Sequence, residues 1–146
     1  MNGAASDKGA LRRMMLARLA SFDPGDLARW SALIVEAIAS SEAWNDARGV
    51  LQFLADEREP NLDPLVGRGW RAGKRVGAPR MDWNAGRMRG VELGSVERVE
   101  VRRHGIREPL EGASMAPGAI DLVLVPGVAF DARGGRLGRG AGFYDR

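Results

Sequence analysis

The sequence lacks cysteine altogether and is poor in histidine. With no cysteine among 146 residues, disulfide bonds, thiolate nucleophiles and thiolate metal sites are excluded. His104 is the only histidine, and without suitable ligand partners it is expected to be structural or exposed.

Long apolar runs are also missing. No run approaches the roughly 18 residues that a membrane-spanning helix needs. Residues 1–13 have no apolar stretch before their basic residues, so they do not resemble a signal peptide. These two absences predict a cytoplasmic protein.

Lysine is scarce, although the chain is basic. The net charge is +3 and lysine occurs only at Lys8 and Lys74, while the isoelectric point is about 10.1. The arginines are scattered among acidic residues, which favours a solvated mixed surface over a nucleic-acid-binding patch. A guanidinium group can bind two phosphate oxygens at once, so the arginines also suit phosphate recognition.

The overall composition is that of a soluble globular protein. Hydrophobic residues make up 45% of the chain and charged residues 28%, which is typical of a chain that buries one core. The length is that of one ordinary domain, predicted to span residues 1–146.

Helical spacing of apolar residues occurs in three segments, which are residues 7–20, 24–40 and 62–73. Asp23 followed by Pro24 is typical of an N-cap and a first helical residue. Trp30 and Trp70 fall at helical spacing and are predicted to be core residues.

Short apolar runs of strand length lie between and after these helices. The predicted strands are residues 49–55, 74–79 (before a turn) and 121–126, with 91–93 and 96–101 as further candidates in a meander. Helices alternating with nearly continuous apolar strands indicate an α/β sheet covered on both faces.

A glycine-rich segment, residues 133–146, is the part of the sequence richest in candidate chemistry. Its glycines allow backbone N–H groups to approach an anion closely. Arg136 and Arg139 could add charged contacts to phosphate, and Asp145 offers the hard oxygen that Mg²⁺ uses beside nucleotides. A flexible surface turn followed by a helix is the alternative interpretation.

Two familiar glycine signatures are excluded for this segment. The dinucleotide fingerprint would require glycine at position 143, where Phe143 stands, and the phosphate-loop signature requires a lysine that is absent here.

The order of residues from 125 to 146 resembles the signature of the 5-formyltetrahydrofolate cyclo-ligase family, also called methenyltetrahydrofolate synthetases. It reads VPGVAFD and then GRLGRGAGFYDR. Further segments resemble family landmarks in the same order: Lys8 with Leu11 and Arg12, Phe53-Leu54 with Glu59, residues 73–79, and residues 105–109. The resemblance spans nearly the whole chain.

The resemblance implies a fold and an activity. The fold would be a three-layer α/β sandwich with a mostly parallel sheet, similar to ribose-5-phosphate isomerase and CoA-transferase-like folds. The activity would be ATP-dependent conversion of 5-formyltetrahydrofolate to 5,10-methenyltetrahydrofolate in a monomer that uses ATP and Mg²⁺ and binds neither membrane nor nucleic acid.

The resemblance also implies roles for individual residues. The catalytic residues would be Arg136, Arg139 and Tyr144. ATP would contact Lys8, Arg12, Arg136, Leu137, Gly138, Arg139, Gly140, Ala141, Gly142, Phe143 and Tyr144. The folate would contact Leu54, Glu59, Arg139, Gly140, Ala141, Gly142 and Phe143, and Asp145 would hold the metal ion.

Three departures from the family pattern accompany the resemblance. Ala141 stands where glycine or lysine is common, and Phe143 where tyrosine is common. A helix that opens at Phe143 would have only four residues before the chain ends, so we expect a further C-terminal segment to be missing. Two alternatives stay open: a noncatalytic homologue that binds nucleotide or folate, and a basic RNA-binding module.

Overall fold

The computed structural model describes residues 3–146, with side chains from residue 7 onward; residues 1–2 of the predicted domain lie outside the described residues. Its helices are α1 (Gly3–Ala20), α2 (Pro24–Ala39), α3 (Glu42–Asp46) and α4 (Asp63–Arg71). Its strands are β1 (Gly49–Gln52), β2 (Arg75–Asp82), β3 (Arg87–Glu92), β4 (Val99–Val101), β5 (Arg107–Pro109), β6 (Ser114–Met115), β7 (Leu122–Leu124), β8 (Ala129–Phe130) and β9 (Arg136–Leu137).

The helix starts follow from local capping chemistry. The Asp23 carboxylate accepts a hydrogen bond from the Gly25 N–H at 2.7 Å and Pro24 occupies the first turn of α2, as predicted. Helix α3 was not predicted, because five residues are too few to show a periodic pattern. Its cap is nevertheless regular, since the Ser41 hydroxyl accepts from the Trp44 N–H at 3.2 Å.

The central sheet has the order β6-β3-β2-β1-β7. Strand β1 pairs in parallel with both β2 and β7, so that Val50 lies opposite Val76 on one side and Leu122 on the other. Strands β2 and β3 form an antiparallel hairpin, and β6 adds to β3 in antiparallel fashion. The predicted α/β class, with a parallel sheet centre and packed helices, is confirmed.

The predicted turn after Pro79 is wrong. Strand β2 continues to Asp82, with Pro79 paired opposite Gly90 in the hairpin. Gly90 sits in a tight place, because a Cβ there would lie 3.2 Å from both Leu51 and Met115. The turn falls instead within residues 83–86, where the Asp82 carboxylate accepts from the backbone N–H groups of two following residues.

Helices α2, α3 and α4 pack on one face of the sheet. Val35 of α2, Trp44 of α3 and Leu65 of α4 join Val50 of β1 in a single apolar cluster, and all four side chains are buried. Burial of this kind stabilises the fold by roughly 25 cal/mol for each Å² of apolar surface removed from water. The sheet is thereby fixed against its helices close to the end of β1.

Two tryptophans predicted to be core residues are instead 38% (Trp30) and 39% (Trp70) exposed. Trp30 packs edge-to-face against Phe22, with ring centroids 4.9 Å apart, rather than against the sheet. Spacing alone identified an apolar stripe on each helix but not which part of that stripe faces the sheet.

Helix α1 is joined to the glycine-rich segment by a polar contact. Its Leu11 and Met14 side chains, predicted to lie on an apolar face, are 41% and 57% exposed. The Arg12 side chain donates from Nε to the Gly138 carbonyl at 2.7 Å, which ties the helix to the glycine-rich segment. None of the described helices combines the length and apolar character needed to span a bilayer.

The glycine-rich segment is more structured than a loop. It begins with the hairpin of β8 and β9, whose turn is closed by Asp131 accepting from the Arg133 and Gly135 N–H groups. Asp131 thus forms the turn through its own side chain, as aspartate commonly does. The segment ends in a 3-10 turn, Phe143–Asp145.

Candidate functional site

A cavity of about 410 Å³ opens at the carboxyl ends of the parallel strands. Leu54 follows β1, Met81 lies in the last part of β2, and Pro126 follows β7; all three line the cavity. In open α/β sheets ligands bind at this edge, because strand ends and the loops after them converge there. The position of the cavity therefore follows from where the strands of the sheet end.

The glycine-rich segment and α1 form the rest of the cavity wall. All but one of the residues assigned above to substrate, nucleotide or metal line it: Lys8, Arg12, Leu54, Glu59, Arg136, Gly138, Arg139, Gly140, Ala141, Gly142, Phe143, Tyr144 and Asp145. Residues from opposite ends of the sequence are thus brought together.

Leu137 is the exception. It does not line the cavity, and the residue is only 7% exposed. Neighbouring residues on a strand point to opposite sides, so Arg136 can face the cavity while Leu137 packs inward. The Leu137 side chain therefore does not face the cavity, and the assigned contact of this residue with the nucleotide stays a prediction.

The conformation of the loop after β9 depends on glycine. Gly140 has φ = 113° and Gly142 has φ = 72°, values that residues with a Cβ rarely adopt. Ala141, the departure noted in the sequence, lies between them and lines the cavity. The loop can present backbone to a ligand because two of its positions carry no side chain.

Arg136 anchors one end of the cavity. Its guanidinium donates to the Pro126 carbonyl at 3.0 Å and lies 2.6 Å from Asp145 Oδ1. The Asp145 side chain is 70% exposed, whereas that of Arg136 is only 20% exposed. The cation is therefore fixed by the protein, and its carboxylate partner faces solvent.

Arg139 bridges to the other end of the cavity. Its guanidinium lies 2.8 Å from the Asp56 carboxylate and 3.3 Å from the Glu59 carboxylate. Glu59 also accepts from the Asp56 N–H at 3.0 Å, which closes a compact turn. Glu59 is not a solvated loop acid in this structure, since its side chain is only 15% exposed.

Burial raises the pKa of two groups in the cavity. It raises the pKa of Glu59, although the Asp56 N–H and the Arg139 charge act in the opposite direction. Burial also raises the pKa of Tyr144 well above its ordinary value, and the Glu59 carboxylate adds to this effect. Tyr144 is therefore a neutral phenol at physiological pH, able to donate a hydrogen bond.

Trp83 is a cavity residue that sequence reasoning left unplaced. Its ring lies 4.8 Å from Phe143 in an edge-to-face contact and 5.0 Å from His104. His104 itself is exposed, as expected. The sequence around Trp83 shows no pattern that predicts its place in the cavity. Trp83 reaches Phe143 only because the β2–β3 hairpin folds as it does.

Arg107 is a second residue that was missed. It lines the cavity and makes a two-pronged ion pair with Asp63 at the start of α4, with distances of 3.2 and 3.0 Å. The segment of residues 105–109 had been singled out, but without this arginine.

The possible donors for a metal ion are few. No group of three or more histidine, aspartate or glutamate side chains suited to hold a metal occurs among the residues that the structure describes. Asp145 offers a single exposed carboxylate, already paired with Arg136.

The fold and the cavity together define an α/β protein with a cavity, lined in part by arginines, at the carboxyl edge of its sheet. The family model of the 5-formyltetrahydrofolate cyclo-ligase family matches residues 4–146. The chain belongs to this family.

Individual relatives agree with the family model. The 5-formyltetrahydrofolate cyclo-ligase of Mus musculus is 28% identical over 147 residues, covering 96% of this chain and 72% of the relative. That of Escherichia coli K12 is 38% identical over 103 residues, covering 68% of this chain and 57% of the relative.

Solved structures support the fold. The 5,10-methenyltetrahydrofolate synthetase of Aquifex aeolicus matches with a TM-score of 0.80 at 29% identity, over 95% of this chain and 70% of the other. The Mycoplasma pneumoniae synthetase matches with a TM-score of 0.74 at 18% identity, over 96% of this chain and 76% of the other, and shows the fold alone. The predicted family and fold are confirmed, and the names of the relatives support a cyclo-ligase that forms 5,10-methenyltetrahydrofolate from 5-formyltetrahydrofolate.

Proposed function

We propose that this chain converts 5-formyltetrahydrofolate to 5,10-methenyltetrahydrofolate with ATP, releasing ADP and phosphate. The observation that carries the proposal is the contact of Arg139 with Glu59, which joins the glycine-rich loop to the end of β1 across one cavity. A reaction between a nucleotide and a folate requires such a shared space, because the two reacting groups must meet directly.

The nucleotide is assigned to the end of the cavity formed by α1 and the glycine-rich loop. Lys8, Arg12 and Arg136 all line this end and carry positive charge. Guanidinium groups and loop N–H groups bind phosphate oxygens through charge-assisted hydrogen bonds. The triphosphate would lie here, with Gly140 and Gly142 allowing close approach of the backbone.

The folate is assigned to the end formed by Leu54, Glu59 and Phe143. Leu54 and Phe143 are buried apolar side chains that can pack against a flat ring. Glu59 lies beside them, and a buried carboxyl can hydrogen-bond to the amino edge of a pterin. Trp83 extends the apolar wall through its contact with Phe143.

The chemistry that the resemblance implies suits these groups. The formyl oxygen attacks the γ-phosphorus, the bond from that phosphorus to the ADP oxygen breaks, and an imidate phosphate and ADP result. N10 then attacks the formyl carbon, the C–O bond breaks with its electrons leaving on phosphate, and the loss of the N10 proton gives the methenyl bridge. Phosphorylation is needed because a formyl oxygen is a poor leaving group and phosphate is a good one.

The protein's part in this reaction is positioning and charge neutralisation. Arg136 and Arg139 are oriented by contacts within the chain and can neutralise charge on the transferred phosphoryl group. Tyr144, as a neutral phenol, can donate a hydrogen bond to an oxygen of that group.

Magnesium fits this site through Asp145. The carboxylate is a hard oxygen ligand, and Mg²⁺ commonly takes one or two carboxylates and completes its shell with phosphate oxygens and water. When bound, Mg²⁺ would neutralise phosphate charge. To bind Mg²⁺, Asp145 would have to give up its ion pair with Arg136.

Further features belong to the same proposal. The chain is proposed to act as a monomeric single domain in the cytoplasm, without nucleic acid or membrane as a partner. One relative, from Arabidopsis thaliana, is named as mitochondrial. The basic residues are scattered among acidic ones along the sequence, and some of them form ion pairs within the chain, as Arg75 does with Glu92, which argues against an RNA-binding surface.

The test is formation of methenyltetrahydrofolate, followed by its absorbance, with the chain, ATP, Mg²⁺ and 5-formyltetrahydrofolate. Calorimetric titration of each ligand runs in parallel, with a chelator in place of Mg²⁺ as one arm. Turnover supports the enzyme. Binding of both ligands without product would favour the noncatalytic homologue, and binding of RNA with steep salt dependence would favour the RNA-binding module.

A further inference from the structure

The turn of residues 56–59 carries Glu59, and it is held from two sides. On the cavity side, Arg139 contacts both Asp56 and Glu59. A ligand that binds Arg139 would compete for this contact. The turn therefore needs a second anchor if Glu59 is to keep its place when the cavity is filled.

Arg107 supplies that anchor. One of its terminal nitrogens donates to the Ala55 carbonyl at 3.3 Å, directly before the turn, and to Asp63 Oδ1 at 3.2 Å. Its other terminal nitrogen lies 3.0 Å from Asp63 Oδ2. The planar guanidinium thus links β5 to Ala55, which follows β1, and to the first turn of α4.

The position of this link favours a firm connection. Both side chains of the ion pair are only 23% exposed, so solvent screens them less than a surface pair. Asp63 is in the first turn of α4, where a carboxylate is also stabilised by the helix dipole. Leu62, the residue before Asp63, is buried in the core.

We propose that Arg107 is a positioning residue for the folate end of the cavity, acting through Asp63 and the Ala55 carbonyl to fix the turn that carries Glu59. This inference rests on the proposed function for its effect on folate binding. Its effect on the turn itself does not depend on the ligand.

The test compares Arg107→Gln, Asp63→Asn and the double variant with the unchanged chain. Arg75→Gln is the matched control, because Arg75 also makes an ion pair with a carboxylate, Glu92, but does not line the cavity. Hydrogen exchange of the backbone amides of residues 56–59 reports on the turn, and calorimetry with 5-formyltetrahydrofolate and with ATP reports on the two ligands.

We expect Arg107→Gln to speed exchange in the turn about tenfold and to weaken folate binding about tenfold, with less than a twofold change for ATP. The double variant should lose little more folate affinity than Arg107→Gln alone, because both substitutions break the same ion pair. Arg75→Gln should leave the turn and both affinities unchanged.

Unchanged exchange in the turn of Arg107→Gln would overturn the inference. Additive losses of folate affinity in the double variant would also overturn it, since Arg107 would then act on the ligand directly. If the unchanged chain binds no folate, the proposed function fails, while the exchange measurement still decides whether Arg107 holds the turn.

Discussion

The two ends of the cavity are built differently. At the folate end, Phe53, Leu54 and Ala55 are buried and continue directly into the core between the sheet and α4. At the nucleotide end, the loop with Gly140 and Gly142 depends on backbone conformation and on polar contacts such as that from Arg12. The apolar core continues to the end assigned to folate, whereas the end assigned to the nucleotide depends on backbone conformation, hydrogen bonds and charge.

This difference suits the two ends to two different kinds of ligand. A rigid ring such as a pterin is recognised best by a preformed apolar wall with few polar groups. A flexible, highly charged triphosphate is recognised by many backbone and guanidinium donors. The predictions below test whether the two ends are as separate as their construction indicates.

The largest effect is expected from the packed end. Leu62 is 2% exposed and belongs to the cluster that includes Phe53 and Leu65, so Leu62→Ala should lower the free energy of unfolding by about 2–5 kcal/mol. Urea denaturation measures this. Leu33→Ala is the control, because Leu33 is 67% exposed and its truncation should change stability by less than about 0.5 kcal/mol. Equal losses in the two variants would contradict the assignment of the core.

The next effect concerns the charged end. Arg136→Ala should weaken ATP binding by about 1.5–3 kcal/mol, the usual value of a hydrogen bond to a charged group, and should change folate binding much less. Calorimetric titration with each ligand separates the two. An equal loss for both ligands, or a loss for folate alone, would show that the ends are not separate and would remove Arg136 from the nucleotide site.

A third prediction applies the same logic to Glu59. Glu59→Gln keeps the shape of the side chain but removes the charge that faces Arg139. The Michaelis constant for 5-formyltetrahydrofolate should rise, whereas ATP affinity should stay nearly the same. Steady-state kinetics with either substrate varied provides the measurement. An unaltered Michaelis constant for 5-formyltetrahydrofolate would show that Glu59 only stabilises the turn.

The smallest effect is a change of stability with pH. Burial raises the pKa of Glu59 above its ordinary value of 4.5, so the folded protein holds this proton more tightly than the unfolded chain does. The contribution to stability is complete below pH 4.5 and is lost as the pH rises through the folded-state value. Thermal unfolding of Glu59→Gln should therefore show a smaller loss of stability over that interval than the unchanged chain. Parallel pH profiles would contradict the burial of this carboxyl.

Local signals in the sequence predicted most of the helices and the parallel part of the sheet. The Asp23-Pro24 start of α2 and the glycine after α4 are decided within a few residues, so they could be recognised without a structure. Strand β2 was predicted too short, because its continuation past Pro79 depends on pairing with β3 and not on its own residues.

The candidate site was predicted largely through the ordered signature of residues 125–146, and the cavity gathers nearly all the residues assigned by it. Leu137 belongs to the same motif although its side chain is buried, because a linear motif does not show which strand residues face inward. Trp83 was missed because it belongs to no recognisable pattern. Arg107 lies within the recognised segment of residues 105–109, but its role depends on Asp63, which lies 44 positions away.

By itself the sequence determined the α/β class, the capped start of α2 and the family signature, since each depends on residues that are close together in the chain. Only the tertiary structure decided that Arg139 meets Glu59, that Arg107 meets Asp63 and that Arg12 meets Gly138. Such contacts join residues as many as 126 positions apart. They form only where packing of the sheet and helices brings two distant segments together, and no local sequence pattern predicts which segments will meet.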